Sequence, residues 1–285
     1  MNLSTFKKAC TFILTVFVFF SFISTSCSKK TEPKDAGVVF DTIHVDKTQS
    51  IDYKNSKLNC NLHVLFTYPI ACKKSSPLED LQKKFIEKVL APQYGELHPK
   101  EAADSFSAQY IRDFRSVKWD DFFDDDSMLE DENDFIYELN LENEIVYNRN
   151  SFISFTVKNT DYEGGSRASN TIFGYVVDLN TGNFLTEEDF AGNNYKSLSS
   201  LIAQKIAAQA GLSDVSELEN IGYNPIENIT PNGNFTIDDD GITYYFNESD
   251  NIAASFIGIT EVFIPYKELK DYITDDNPIS SLAEK

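Results

Sequence analysis

Histidine is nearly missing from this chain, and much metal and acid–base chemistry goes with it. His44, His63 and His98 are the only three among 285 residues. They fall in different segments without a His-x-x-x-His or Cys–His ligand spacing, which argues against a zinc site. No glycine-rich phosphate loop occurs. Ser166, in "GGSRA", lacks the Gly-x-Ser-x-Gly elbow that would raise a nucleophile above a sheet. No cofactor is therefore expected. Cations are scarce as well: 25 Lys and Arg face 45 Asp and Glu, a net charge of -20, which argues against nucleic acid as a partner. Such a field favours a basic protein or cationic ligand, although acidity is also a common route to solubility.

Cysteine is sparse, and its positions are informative. The chain opens "MNLSTFKKACTFILTVFVFFSFISTSCSKK", where Lys7 and Lys8 precede the apolar run that holds Cys10. That run, about fifteen residues, is shorter than the roughly 20 needed to cross a bilayer, so residues 1–26 are read as a cleaved secretory signal, with an uncleaved anchor as the alternative. The small residues before Cys27 resemble the lipobox of bacterial lipoproteins, with Ser24 where that pattern has Leu. Acylation of Cys27 would hold the protein on a membrane without crossing it, in the cell envelope facing the periplasm or the exterior. Residues 27–36, polar with a proline, then serve as a flexible tether. Cys60 and Cys72 remain for the exported part, where an oxidising compartment predicts a disulfide between them and two unpaired thiols are the alternative.

Alternation and helical spacing place the elements. "GVVFDTIHV" (37–45) and "SKLNCNLHVLFTYP" (56–69) read as strands. Leu78, Leu81, Phe85 and Val89 form one face of a helix, and Ala102, Phe106, Tyr110 and Phe114 repeat the pattern. "FIYELNLENEIVY" and "FISFTVK" alternate as half-buried strands joined at "NRNS", and "TIFGYVVDLNTGNFLT" is a hairpin turning at Asn180–Gly182. A helix follows over 193–210 with Gly211 as its stop, then a hairpin around Asp240 and Gly241, the strand "TEVFIPY" and a short helix "KELKDYI". The fold class expected is α+β, a mainly antiparallel β-sheet with helices packed on it. The divisions expected are a strand–helix module at 37–130, a C-terminal domain at 131–275 and a tail at 276–285. No internal repeat is seen.

Two features invite a site and give weak support. The acidic run "KWDDFFDDDSMLEDEND" (118–134) fails as an EF-hand, since counting from Asp121 the third position is Phe123 and the sixth Asp126. A solvated loop is the reading taken, an irregular cation site the alternative. Carboxylates are so abundant that a pair suited to glycan hydrolysis would arise by chance, so that pair is uninformative.

"DYEGGSRASNTIFGYVVDLNTGNFLTEEDF", followed by a helix and "FTIDDDGITYYFNESDNIAASFIGITEVFIPYKEL", resembles the extracellular domain shared by RsiV-type anti-sigma factors and the non-catalytic part of PdaC-type peptidoglycan deacetylases. The resemblance covers about residues 130 to 272, and residues 38 to 92 look like the strand–helix module that precedes it. It implies an RsiV-like two-part arrangement and binding without chemistry: RsiV-type proteins bind lysozyme with this domain and signal across the membrane. With residues 1–26 read as the leader, no segment for the signalling half is expected before it, which puts that half of the role aside and leaves ligand binding. The family's paired glycines are commonly followed by Ala-His, whereas Gly164 and Gly165 are followed by Ser166 and Arg167, so a role for that His does not carry over. Deacetylase activity belongs to a separate module.

The expectation is thus a lipid-anchored envelope protein that binds a lysozyme-like basic protein. An envelope-glycan module, or a carboxylate-dependent hydrolase, is the alternative. The candidate ligand-binding residues are Arg167, Tyr162 and Tyr244. Gly164 and Gly165 are read as a tight turn, and Arg167 either holds a neighbouring carboxylate or faces a ligand.

Overall fold

A hairpin of two long strands, β1 (Val38–Tyr53) and β2 (Ser56–Cys72), begins the structure, a computed structural model that describes residues 37–53, 56–73, 77–119, 136–163 and 167–283. The leader with Cys10 and Cys27, the tether to residue 36, the acidic run from residue 120 and the Gly164–Gly165–Ser166 turn lie outside the described residues. Helices α1 (Leu78–Val89) and α2 (Pro99–Ser116) follow, then β3 (Ile136–Arg149), β4 (Phe152–Glu163) and β5 (Ser169–Asp178). The strands form one sheet in the order β1-β2-β3-β4-β5, antiparallel except where Asn59–Leu65 of β2 runs parallel to Ile136–Glu142 of β3. A parallel pair needs a crossover of a dozen or more residues, and the segment carrying α1 and α2 joins β2 to β3.

That crossover decides which face of the sheet the helices cover. Leu81, Phe85, Ile86 and Val89 of α1 bury against Val64, Phe66, Leu141 and Phe155, and the Phe85 and Phe155 rings stack at 4.2 Å. The opposite face, carrying Phe152 and Val176, packs on a second sheet of β6 (Phe235–Ile237), β7 (Gly241–Phe246) and β8 (Thr260–Pro265). Leu198, Ile202 and Ile206 of α4 (Leu198–Gln209) complete that core. Strands from both sides of the expected division at 130/131 therefore share one sheet, within a compact unit spanning Asp35–Lys285. Among the described residues no helix is long and apolar enough to cross a membrane.

The expected disulfide is corrected by the strand that holds it. Cys60 and Cys72 both lie on β2, where twelve steps at roughly 3.3 Å set them about 40 Å apart, far beyond the ~7 Å limit for a bridge. The apolar run of β2 continues past Pro69, which faces a register shift in β1 between Val39 and Phe40, and so carries Cys72 onward in the ladder. Both cysteines are free: Cys60 is buried and Cys72 half-buried. Burial, with Asp161 nearby, pushes the Cys60 thiol up to about 11. Iodoacetamide at pH 8 is therefore expected to label Cys72 in the native protein and Cys60 only after unfolding, as read by peptide mass spectrometry. Equal labelling of both would contradict this placement.

Candidate functional site

β5 is an edge of the five-stranded sheet, and how its outer backbone groups are satisfied defines the site. The Ile172 N–H donates to Asn247 Oδ1 at 2.8 Å, and the Ile172 carbonyl accepts from Asn247 Nδ2 at 3.0 Å and Asn234 Nδ2 at 2.9 Å. The Gly174 N–H donates to Asn234 Oδ1 at 2.6 Å. Two side-chain amides thus close the edge where a further strand would pair. Residues two apart point the same way, so the backbone of Asn170, opposite Thr160 in the ladder, also faces outward. No backbone partner closes the edge at Asn170 among the described residues.

At that open end lies a groove of about 540 Å³, bounded by residues 167–171 on one side and by Glu248, Asn251, Ala253 and Ser255 on the other. Arg167 spans it, donating from Nη2 to Glu248 Oε2 at 2.9 Å and to the Ser255 carbonyl at 2.8 Å. Arg167 therefore holds a carboxylate while its side chain stays 54% exposed. Such an exposed pair contributes no more than about 1 kcal/mol, so it shapes the groove more than it stabilises the fold. Glu248 is presented by a short 3-10 turn, Glu248–Asp250, which Asn247 and Asp250 cap reciprocally and Asn251 ends at φ 54°. Beyond Ser255, Phe256 stands 77% exposed with its ring edge against Gly222, near the 40% exposed Ile221.

The other candidate residues are not brought to this groove. Tyr162 is half-buried on β4 opposite Glu138 and does not line it. Tyr244 corrects the expectation outright, since it is fully buried, and its neighbour Tyr245 is buried too. Alternation sends the two rings to opposite faces of the small sheet, and both faces are covered there. Tyr245 shares a hydrogen bond with the Thr236 hydroxyl at 3.1 Å, whereas the Tyr244 hydroxyl has no partner. Removing an orphaned buried hydroxyl relieves its desolvation cost, so Tyr244→Phe is expected to stabilise the protein by about 1 kcal/mol, read as a higher urea midpoint at unchanged slope. A lower midpoint would show that the hydroxyl is satisfied.

His63 sits exposed on β2, hydrogen-bonded to Asp46 across the β1–β2 hairpin. Among the described residues no three His, Cys, Asp or Glu side chains are grouped to hold a metal ion. Glu248, Asn247 and Phe256 were not singled out from the sequence. The signals available were the Asn247-x-x-Asp250 spacing of a capping box and an aromatic set among small residues in "IAASFIG".

The motifs that carry the resemblance prove to build the fold. In "LTEEDF", Leu185 and Phe190 are core residues, and Thr186 with Asp189 forms a capping box that starts α3 (Glu187–Ala191). Asp178 accepts from the Asn180 N–H at 2.8 Å and Gly182 takes φ 75°, fixing the turn of "DLNTG". Tyr266, which closes "EVFIPY", donates to the Asp238 carbonyl at 3.0 Å.

Residues 184–267 match the family model DUF3298, described as a protein of unknown function. No curated protein matches the chain. A crystal structure of a DUF3298 member from Bacteroides fragilis is similar with a TM-score of 0.78 at 23% identity, covering 88% of this chain and 100% of that one. A DUF3298 protein from Pseudomonas aeruginosa is similar with a TM-score of 0.55 at 12% identity, covering 85% of this chain and 96% of that one. At these identities the likeness is one of fold.

Proposed function

We propose that this chain is a lipid-anchored cell-envelope protein of RsiV-like type whose exported domain binds a basic, lysozyme-like protein at the β5 groove without transforming it. The observation that carries the reading is Phe256, 77% exposed and next in the chain to Ser255 of the groove lining. An aromatic anchor beside an arginine and an open strand edge suits a protein ligand, since such residues carry most of the energy of protein interfaces and strand edges add main-chain hydrogen bonds. The net charge of -20 supports a basic partner by steering its encounter. Glycan recognition through exposed tyrosines loses its basis with the burial of Tyr244 and Tyr245.

Biolayer interferometry of the protein against lysozyme at low and moderate salt tests this reading. Binding is expected to weaken with salt, and Phe256→Ala to lower affinity at least about tenfold, the effect of losing one interface anchor. No binding at either salt, or binding indifferent to Phe256→Ala, would reject the site.

A further inference from the structure

The helical layer does not reach across the whole sheet. Over β3, β4 and β5 it leaves a recess of about 330 Å³ on the face opposite the second sheet, walled by Leu90, Phe106, Leu139, Leu141, Val157 and Phe173. That volume lies at the lower end of the ~300–1,000 Å³ typical of small-ligand sites. The floor is where the sequence breaks its own pattern. Ile153, Phe155 and Val157 of β4 point into the core, and the next two residues in phase are Asn159 and Asp161. In the ladder these polar residues stand opposite Leu141 and Leu139.

Three oxygens of this recess are sealed from solvent and meet no partner at full hydrogen-bond geometry, Asn159 Oδ1, Asp161 Oδ1 and the Tyr110 hydroxyl from α2, although the Tyr110 hydroxyl stands close enough to Asp161 to favour its charged form. A protein seldom leaves even one buried polar atom unsatisfied, and three lining one recess mark a place where something else supplies hydrogen-bond donors. The lysine that lines the recess does not do so. Lys88 is on the rim, but its Nζ sits over the rings of Tyr175 and Phe184, 5.1 and 5.2 Å from their centroids. Arg167 is engaged with Glu248 in the other groove.

We infer that this recess is a binding site for a primary ammonium group carried on an apolar stem, with Asp161, Asn159 and Tyr110 receiving the ammonium and the Leu139–Leu141–Val157–Phe173 wall receiving the stem. An ammonium brings three donors and a positive charge, matching two acceptor oxygens, one of them from a carboxylate, and a hydroxyl. A neutral alcohol brings one donor, and a carboxylate ligand brings acceptors to a site that already has them. Burial and the nearby Glu163 raise the pKa of Asp161 against a hydrogen bond from Tyr110 that lowers it, the direction expected of an acid lacking a cation. The stem could belong to a free amphiphilic amine or to a lysine side chain of a bound protein, whose four methylenes and ammonium have the same chemistry. The recess adjoins the β5 groove at Thr171 but is built from other residues, and it stands whether or not that groove binds lysozyme.

Isothermal titration of the protein with phenethylamine, 2-phenylethanol and 3-phenylpropionate tests the assignment, three ligands alike in their apolar part. The amine is expected to bind at least tenfold more tightly than the alcohol, and 3-phenylpropionate not to bind. Asp161→Asn, which keeps the side-chain shape, is expected to abolish the amine preference, and Phe173→Ala, at the 41% exposed rim, to weaken the amine severalfold. Competition by a lysine peptide, absent when the lysine is acetylated, would identify a partner's side chain as the source; its failure with retained amine binding would identify a free amine. Should Asp161→Asn not fold, amide chemical shifts of the unaltered protein decide, with amine-induced changes expected at residues 139–141 and 157–161. Equal binding of the three ligands, no binding by any at millimolar concentration, an amine preference that survives Asp161→Asn, or shift changes elsewhere would overturn it.

Discussion

Gly174→Ala is expected to destabilise the protein by about 3 kcal/mol or more, measured by urea unfolding, because β5 and β6 approach closely at Gly174. A β-carbon built on Gly174 would stand 2.6 Å from both the carbonyl carbon and oxygen of Phe235 and 3.1 Å from its Cα. Those are backbone atoms of β6 and cannot rotate away. Nor can the strands part cheaply, because Asn234 ties β6 to β5 through its bonds to the Gly174 N–H and the Ile172 carbonyl. Overpacking costs roughly 1–3 kcal/mol by itself, and each buried hydrogen bond stretched open adds to it. Gly211→Ala supplies the comparison: Gly211 has φ 73° with nothing within 4 Å of the added carbon, so it carries only the left-handed backbone cost of roughly 1–2 kcal/mol. If Gly174→Ala cost no more than Gly211→Ala, close approach would not be the reason for this glycine.

Patterning of single elements was legible in the sequence because it follows from local periodicity. The helix phases of Leu81, Phe85 and Val89 and of Ala102 and Phe114 reappear as the buried faces of α1 and α2. The "NRNS" hairpin is a two-residue turn with Asn150 at φ 51° and Ser151 at φ 67°, and Gly211 ends the helical segment at φ 73°. Pairing between distant segments was not legible. Nothing local says that β2 runs parallel to β3, the one parallel pair in a sheet that is otherwise antiparallel as expected. The disulfide failed for a related reason: with β2 taken to end at Pro69, Cys72 was free to fold back, whereas the strand carries it onward. Tyr244 failed because alternation assigns a side chain to a face of the sheet without telling which faces are covered. The groove was half legible. Arg167 stood out as a cation in an acidic chain, but Glu248 lies 81 residues away and only the packing of the second sheet brings the two together. The polar turn of the β4 pattern at Asn159 and Asp161 was visible as sequence, yet it gains meaning only once the helices are seen to cover the same face.

Asn247→Ala is expected to cost about 3 kcal/mol and to expose the Ile172 amide to rapid hydrogen exchange. Asn247 is only 3% exposed, and its side chain acts in two places at once. Toward β5 it completes the backbone of Ile172, accepting from the N–H and donating to the carbonyl. Toward its own chain it caps the 3-10 turn that carries Glu248. Alanine leaves the half-buried Ile172 N–H without this partner, at roughly 1–3 kcal/mol, and removes a cap worth about 1 kcal/mol. The Ile172 carbonyl keeps Asn234, so the damage concentrates on the donor. Asn247→Asp discriminates further, because it retains an acceptor for the Ile172 N–H while setting a carboxylate oxygen against the Ile172 carbonyl; it should be no more stable than alanine despite its matching shape. Unchanged protection of the Ile172 amide in Asn247→Ala would mean that the edge of β5 is closed by something other than this amide. The groove follows from the same residue: the turn that Asn247 caps holds Glu248 against Arg167. Loosening the cap should therefore weaken any ligand bound there, even though Asn247 lies outside the lining.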